Sequence, residues 1–229
     1  NKPGAGGSIG IQAMLQAPAD GYTLAMVASN VMAEIPHVIK MPFDPLKDII
    51  PVASVARSGA LLVTPVQVPA KNFKELIAYL KTRKGGFASY SPGTSSHYAG
   101  LILSDKAGLD MQHVAYPGSA PALQALLGGQ VEFMFDGILT STPMVKSGKM
   151  RAYAFTGSKR SRQFPDVPTV AELGYPDIEF SGWVGPIASS KLPADVLASI
   201  HAALAKAAKA PAVVKRLAEL GMEPEAIVD

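Results

Sequence analysis

The sequence predicts an α/β protein built on mainly parallel sheets. Short apolar runs alternate with longer amphipathic stretches along nearly the whole chain, the pattern of strands followed by crossover helices. Many of the amphipathic stretches begin beside Ser, Thr or Pro and stop at Gly, residues that start and end helices. Hydrophobic residues make up 48% and charged residues 17%, enough apolar surface for one large core or two smaller ones.

Taken in order, residues 9–16 form a short helical run closed by Ala17-Pro18-Ala19-Asp20-Gly21, and 22–28 an apolar strand ending at Ser29 and Asn30. Residues 42–45 are a turn; 49–55 and 60–64 read as strands. Phe73, Leu76, Ile77 and Leu80 share one helical face, so 73–80 is an amphipathic helix. A strand at 87–89 leads into a helix over 95–107, stopped by Gly108. The alternation continues with strand 111–116, helix 120–127 before Gly128-Gly129, strand 131–135, helix 140–146 and strand 151–155. A short helix at 169–173, a strand at 180–188 around Trp183, and helices at 194–208 and 213–220 complete the reading.

Composition narrows the chemistry. Cysteine is absent, which removes disulfides, thiol nucleophiles and thiolate metal sites. The net charge of +3 is dispersed; the basic clusters at residues 81–84 and 159–162 lack the aromatic interleaving of a nucleic-acid surface. No apolar run reaches the ~18 residues of a membrane span, and no signal-peptide pattern is read in the sequence as given, which says nothing against export. The histidines, His37, His97, His113 and His201, have no metal-ligand spacing, and no cofactor motif is met.

The opening Gly4-Ala5-Gly6-Gly7-Ser8-Ile9-Gly10 admits three readings. A dinucleotide fingerprint needs a glycine where Ile9 stands and an acidic residue where Ser29 and Asn30 stand. A nucleophile elbow at Ser8 needs a preceding strand and ordered Asp and His partners. The remaining reading is a glycine turn presenting backbone N–H groups at a helix start.

Chemistry concentrates elsewhere. Ser91-Pro92-Gly93-Thr94-Ser95-Ser96-His97 is a strand end, a turn and a helix N-terminus, with the hydroxyl of Thr94 or Ser95 expected to cap the helix. A helix start offers unpaired N–H donors and partial positive charge, an anion site that needs no arginine. Tyr116-Pro117-Gly118-Ser119-Ala120-Pro121 repeats the device, with Ser119 expected as cap, and a third strand ends at Asp136-Gly137. Ligands of open parallel sheets sit beyond the carboxyl ends of the strands, so the three ends are expected to share one crevice. A serine acting with His97 and Asp136 would make a hydrolase, but the chain shows no ordered triad.

At these residues the sequence resembles the substrate-binding proteins of tripartite tricarboxylate transporters, the Bug family of extracytoplasmic solute receptors. Residues 1–7 are similar to the family's N-R-P-G-A-G-G turn, and Ala19-Asp20-Gly21-Tyr22-Thr23-Leu24 to its P-D-G-Y-T-L. Residues 118–123, 127–131 and 165–172 also match, so the likeness runs along nearly the whole chain. The family's A-S-x-G-x-G-T-x-x-H motif is met by Ala88, Ser89, Gly93, Thr94 and His97, with Ser91 in place of a usual glycine. The resemblance implies a type II periplasmic-binding-protein fold whose two lobes close on a small carboxylate. Lobe one would comprise 1–62 and 185–229, lobe two 63–184, with crossings near 61–64 and 183–187. Ligand contacts would come from Gly93, Thr94, Ser95, His97, Gly118, Ser119 and Asp136, with Ser29 and Asn30 from lobe one. It also implies a periplasmic, non-enzymatic receptor that delivers its ligand to membrane transporter subunits; a sensory module of the same fold is the alternative. The family's opening strand, P-F-x-x-G-G-type loop and long helix are not found, so the chain is expected to be a fragment that rearranges or forms a homo-oligomer to cover the exposed edge.

Overall fold

A computed structural model describes Lys2 and residues 4–224. In chain order the elements are α1 (Ser8–Leu15), β1 (Ala25–Ala28), α2 (Asn30–Ala33), β2 (Ile49–Pro51), β3 (Ala56–Ser58), β4 (Ala60–Pro65), α3 (Phe73–Lys81), β5 (Lys84–Ser89), α4 (Ser95–Ala107), β6 (Asp110–Ala115), α5 (Ser119–Leu127), β7 (Phe133–Gly137), α6 (Ile138–Lys146), β8 (Met150–Phe155), β9 (Gly182–Ser189), α7 (Ala194–Ala208), α8 (Pro211–Glu219) and β10 (Glu223–Pro224). The chain divides into two compact units, 1–57 with 182–229, and 58–181. Residues 60–62, which the resemblance would put in lobe one, pair with β7 and β8 inside the second sheet, and the division falls before them.

In the first unit the sheet runs β1-β9-β3-β10, with β2 also paired to β9. The registers of β1 and β2 on β9, and of β10 on β3, are antiparallel. Ile11, Met14, Val31, Ile49 and Ile187 form one core cluster. Helix α7 lays Val196, Leu197, Ile200 and Leu204 against a second, made of Val52, Ala188 and Leu192.

The sheet of the second unit has the order β6-β5-β7-β4-β8. Strand β5 pairs in parallel with β6 and with β7, whereas β4 runs antiparallel to β7 and β8. The second sheet is therefore mixed, and the registers given for the first are antiparallel, where mainly parallel sheets were expected. Leu62, Leu76, Leu80, Phe87, Leu103, Phe133 and Phe135 make the core. Helix α3 starts from a reciprocal cap, in which the Asn72 side chain accepts from Glu75 N–H at 2.9 Å and the Glu75 carboxylate accepts from Lys71 N–H at 2.8 Å.

One expected helix is absent. At 169–173 Thr169 bridges to Phe155 and turns follow. Thr169 and Glu172 cap each other reciprocally, but Gly174 at φ 86° ends the chain reversal after a single turn. No described helix is long and apolar enough to cross a membrane.

Candidate functional site

The loop from β5 to α4 is fixed by its own hydroxyls. Ser89 Oγ donates to Ser91 O at 2.9 Å, and Thr94 Oγ1 donates to the same carbonyl at 2.8 Å. Both side chains are fully buried. Gly93 stands at φ 71°, the left-handed region that closes the turn. Thr94 is the N-cap residue, as expected, but its side chain makes no capping hydrogen bond to α4. The Thr94 hydroxyl is spent on the loop instead. The N-terminus of α4 thus keeps backbone donors that its N-cap side chain does not take up.

The other two ends are built alike. Gly118, at φ 121°, is the N-cap of α5, and Ser119 is the first helical residue rather than the cap. Gly137 precedes α6, and neither helix has a side-chain cap. Because β5, β6 and β7 are parallel neighbours, their carboxyl ends share one edge of the sheet. Hydrogen bonds tie the three turns together: Tyr116 N–H to Ser89 O at 2.9 Å, Gly118 N–H to Tyr90 O at 3.0 Å, and Ser96 Oγ to Phe135 O at 2.5 Å. Gly93, Thr94, Ser95, His97, Gly118, Ser119 and Asp136 are all on this edge of the second unit. Ser29 and Asn30 belong to the first unit, where Ser29 exchanges hydrogen bonds with Trp183 and Asn30 opens α2.

Two histidines brace the first turn. His97 Nδ1 accepts from Gly93 N–H at 3.1 Å, which places its proton on Nε2. The His97 ring stacks on His113 at 3.6 Å between centroids. His113 Nε2 lies 2.6 Å from Ser89 Oγ; since that hydroxyl already donates to Ser91 O, His113 is the donor. Phe87 packs on both rings, 5.3 Å from His113 and 6.4 Å from His97. Sequence reasoning passed over His113, because only the parallel register Phe87↔His113 brings it beside the loop.

Burial lowers the pKa of His97, and burial together with the His97 charge pushes His113 down to about 4. Between the usual value near 6.5 and about 4, the unfolded chain binds more protons than the folded one. Stability is therefore intact above pH 6.5 and lost as pH falls through that window. Allowing for solvent screening of a half-exposed ring, the loss is about 1–2 kcal/mol. Urea unfolding at neutral pH and near pH 4.5 measures it, and His113→Asn should flatten the difference.

Asp136 is wholly buried at the end of β7. Its Oδ2 accepts from Thr140 at 2.6 Å and Ser141 at 2.7 Å, both in the first turn of α6, while Oδ1 has no hydrogen-bond partner. Burial raises its pKa above the usual carboxylate range, against the opposing pull of Thr140, Ser119, Ser141 and the Gly137 N–H. Thr140 and Ser141 were not expected in the site; their place three and four residues beyond an Asp-Gly strand end was the available signal. Asp136 is bonded to these hydroxyls and His97 to the Gly93 amide, so neither is engaged as a partner in a serine triad.

Residues 1–228 match the tripartite tricarboxylate transporter family receptor. Among solved structures, the periplasmic binding protein BugD is 32% identical, with a TM-score of 0.90 over 99% of this chain and 76% of that one. A Rhodopseudomonas palustris protein solved with bound malate is 32% identical, TM-score 0.83, covering 96% and 76%. The R. palustris protein Rpa4515, solved with adipate, is 29% identical, TM-score 0.88, covering 95% and 74%. The two-unit α/β architecture is thus that of the periplasmic binding proteins, and the chain belongs to the tripartite tricarboxylate transporter receptor family, the Bug-type solute receptors.

Proposed function

We propose that the chain captures a small aliphatic dicarboxylate in the periplasm and delivers it to the membrane subunits of a tripartite tricarboxylate transporter, without chemical change. The observation that carries this reading is the set of three helix N-termini, α4, α5 and α6, on one sheet edge without a side-chain cap. Oriented backbone amides there offer several donors and partial positive charge to an anion. One ligand carboxylate binds among Gly93, Thr94, Ser95, Gly118 and Ser119. His97 holds the Gly93 turn in shape rather than touching the acid with a charge, since its lowered pKa keeps it neutral. The two related structures solved with malate and with adipate point to the same ligand class.

A thermal-shift screen of straight-chain dicarboxylates tests the reading. A ligand at a hundred times its Kd adds about 2.7 kcal/mol, which raises Tm by roughly 5–10 °C for a chain of this size. Monocarboxylates of equal length should shift it less. If no dicarboxylate moves Tm while the protein unfolds cooperatively, the proposal is wrong.

A further inference from the structure

We propose that Asp136 is held as a neutral carboxylic acid whose Oδ1 hydroxyl donates to one oxygen of the bound carboxylate, so that capture is coupled to a proton. The proposal rests on the reading of the site given above and adds the group that makes it pH-sensitive.

The geometry assigns the proton. Two hydroxyls, Thr140 and Ser141, donate to Oδ2 and fill its lone pairs. Oδ1 is left buried and unpartnered. Ser119 and the Gly137 N–H also favour the charged form, but neither makes a hydrogen bond to Oδ1, so ionisation would leave a charged oxygen buried without a direct donor, which costs more than a buried hydroxyl. With Oδ2 saturated, the proton belongs on Oδ1. The carboxyl lies between two helix starts, with Ser119 of α5 on one and Thr140 and Ser141 of α6 on the other. The amides at the starts of α4, α5 and α6 on this edge are donors. An ionised Asp136 would repel a carboxylate there, whereas the acid can donate to it.

Among the described residues, no neighbouring charge shifts Asp136. Strand β4 and helix α5 carry no titratable side chain. Helix α6 has only Lys146, in its last turn, and β5 only Lys84, at its opposite end. On α4 stand His97, Tyr98, Asp105 and Lys106, none of which contributes to the shift of Asp136. Burial is its leading cause, in keeping with the geometry.

The test has two readouts. Infrared spectroscopy of the ligand-free protein at neutral pH should show a carboxylic-acid C=O stretch that Asp136→Asn removes and that disappears on raising the pH. Calorimetric titration with malate should then show affinity falling about tenfold per pH unit above that same midpoint, with one proton taken up, read from the dependence of the heat on buffer ionisation enthalpy. Asp136→Asn, whose amide donates more weakly, should bind malate less tightly and without the alkaline fall. If malate binds and the acid band is missing from the wild type, Asp136 is ionised and this proposal alone fails. If the variant keeps the wild-type pH slope, the coupling lies elsewhere and the proposal fails likewise. If the band is present but no dicarboxylate binds, the dicarboxylate reading itself is overturned, and the coupling with it.

Discussion

Replacing Gly100 with alanine is expected to destabilise the second unit by about 3 kcal/mol, at the upper end of the usual cost of overpacking. The residue is in the interior of α4, where the same change in an exposed helix would gain about 1 kcal/mol from propensity. Here a Cβ would lie 2.2 Å from Phe87 Cε2 and 2.3 Å from Cδ2. Those distances are far inside the 3.5–4.0 Å of favourable carbon contact. The ring has nowhere to go. Phe87 is fully buried and stacks on Phe133 at 5.4 Å, with His113 and His97 packed around it. Either α4 lifts off the sheet or the aromatic stack shears, and the second route disturbs the histidines that hold the Gly93 turn. A melting scan should show Tm lower by roughly 6–12 °C. Adding Phe87→Leu should recover part of the loss, since the two sites share one contact and cannot be additive. An unchanged Tm for the single variant would show that α4 does not approach the sheet this closely.

That close approach explains what was readable from sequence and what was not. Helix α4 could be delimited at 95–107 because local signals fix both ends: the turn before Ser95 and Gly108, whose φ of 64° makes it a left-handed stop. Helix α7 was equally plain, from its start after Pro193 to Ala208. Strand direction was not readable, because it depends on partners distant in sequence: Ala28 faces Val184 and Leu61 faces Asp136. The helix start at 30–33 and the strand at 56–58 also went unseen, being too short to carry a period. In the site, the three turns announced themselves through Gly, Ser, Thr and Pro. The use of each hydroxyl did not. Thr94 and Ser119 have the residue type of a cap, yet the loop geometry turns the first toward Ser91 and leaves the second inside the helix. Nothing local distinguishes a serine that caps from one that leaves its helix open, and that difference is what a bound anion would read.

Ser95→Asp is therefore expected to move stability and binding in opposite directions. Ser95 is the first residue of α4. A carboxylate there complements the partial positive charge of the helix start and should add about 0.3–1 kcal/mol of stability. The same charge would occupy the place proposed for the ligand carboxylate. Two like charges about 4 Å apart near a protein surface repel by roughly 4 kcal/mol, so malate affinity should fall at least about a hundredfold. The hydrogen bond between Tyr90 Oη and Ser95 Oγ, 3.2 Å long, changes in any Ser95 variant, and Ser95→Asn separates that effect from charge. The asparagine variant should lose no more than about tenfold, because it removes no helix amide and adds no charge. Salt should restore part of the binding to the aspartate variant and little to the asparagine one, in proportion to how far solvent reaches the pair. A more stable Ser95→Asp protein that still bound malate at wild-type strength would mean that the ligand does not lie at the start of α4. The competing anion would then have to be seated on α5 and α6 alone, where Asp136 and Ser119 would carry the whole of the recognition.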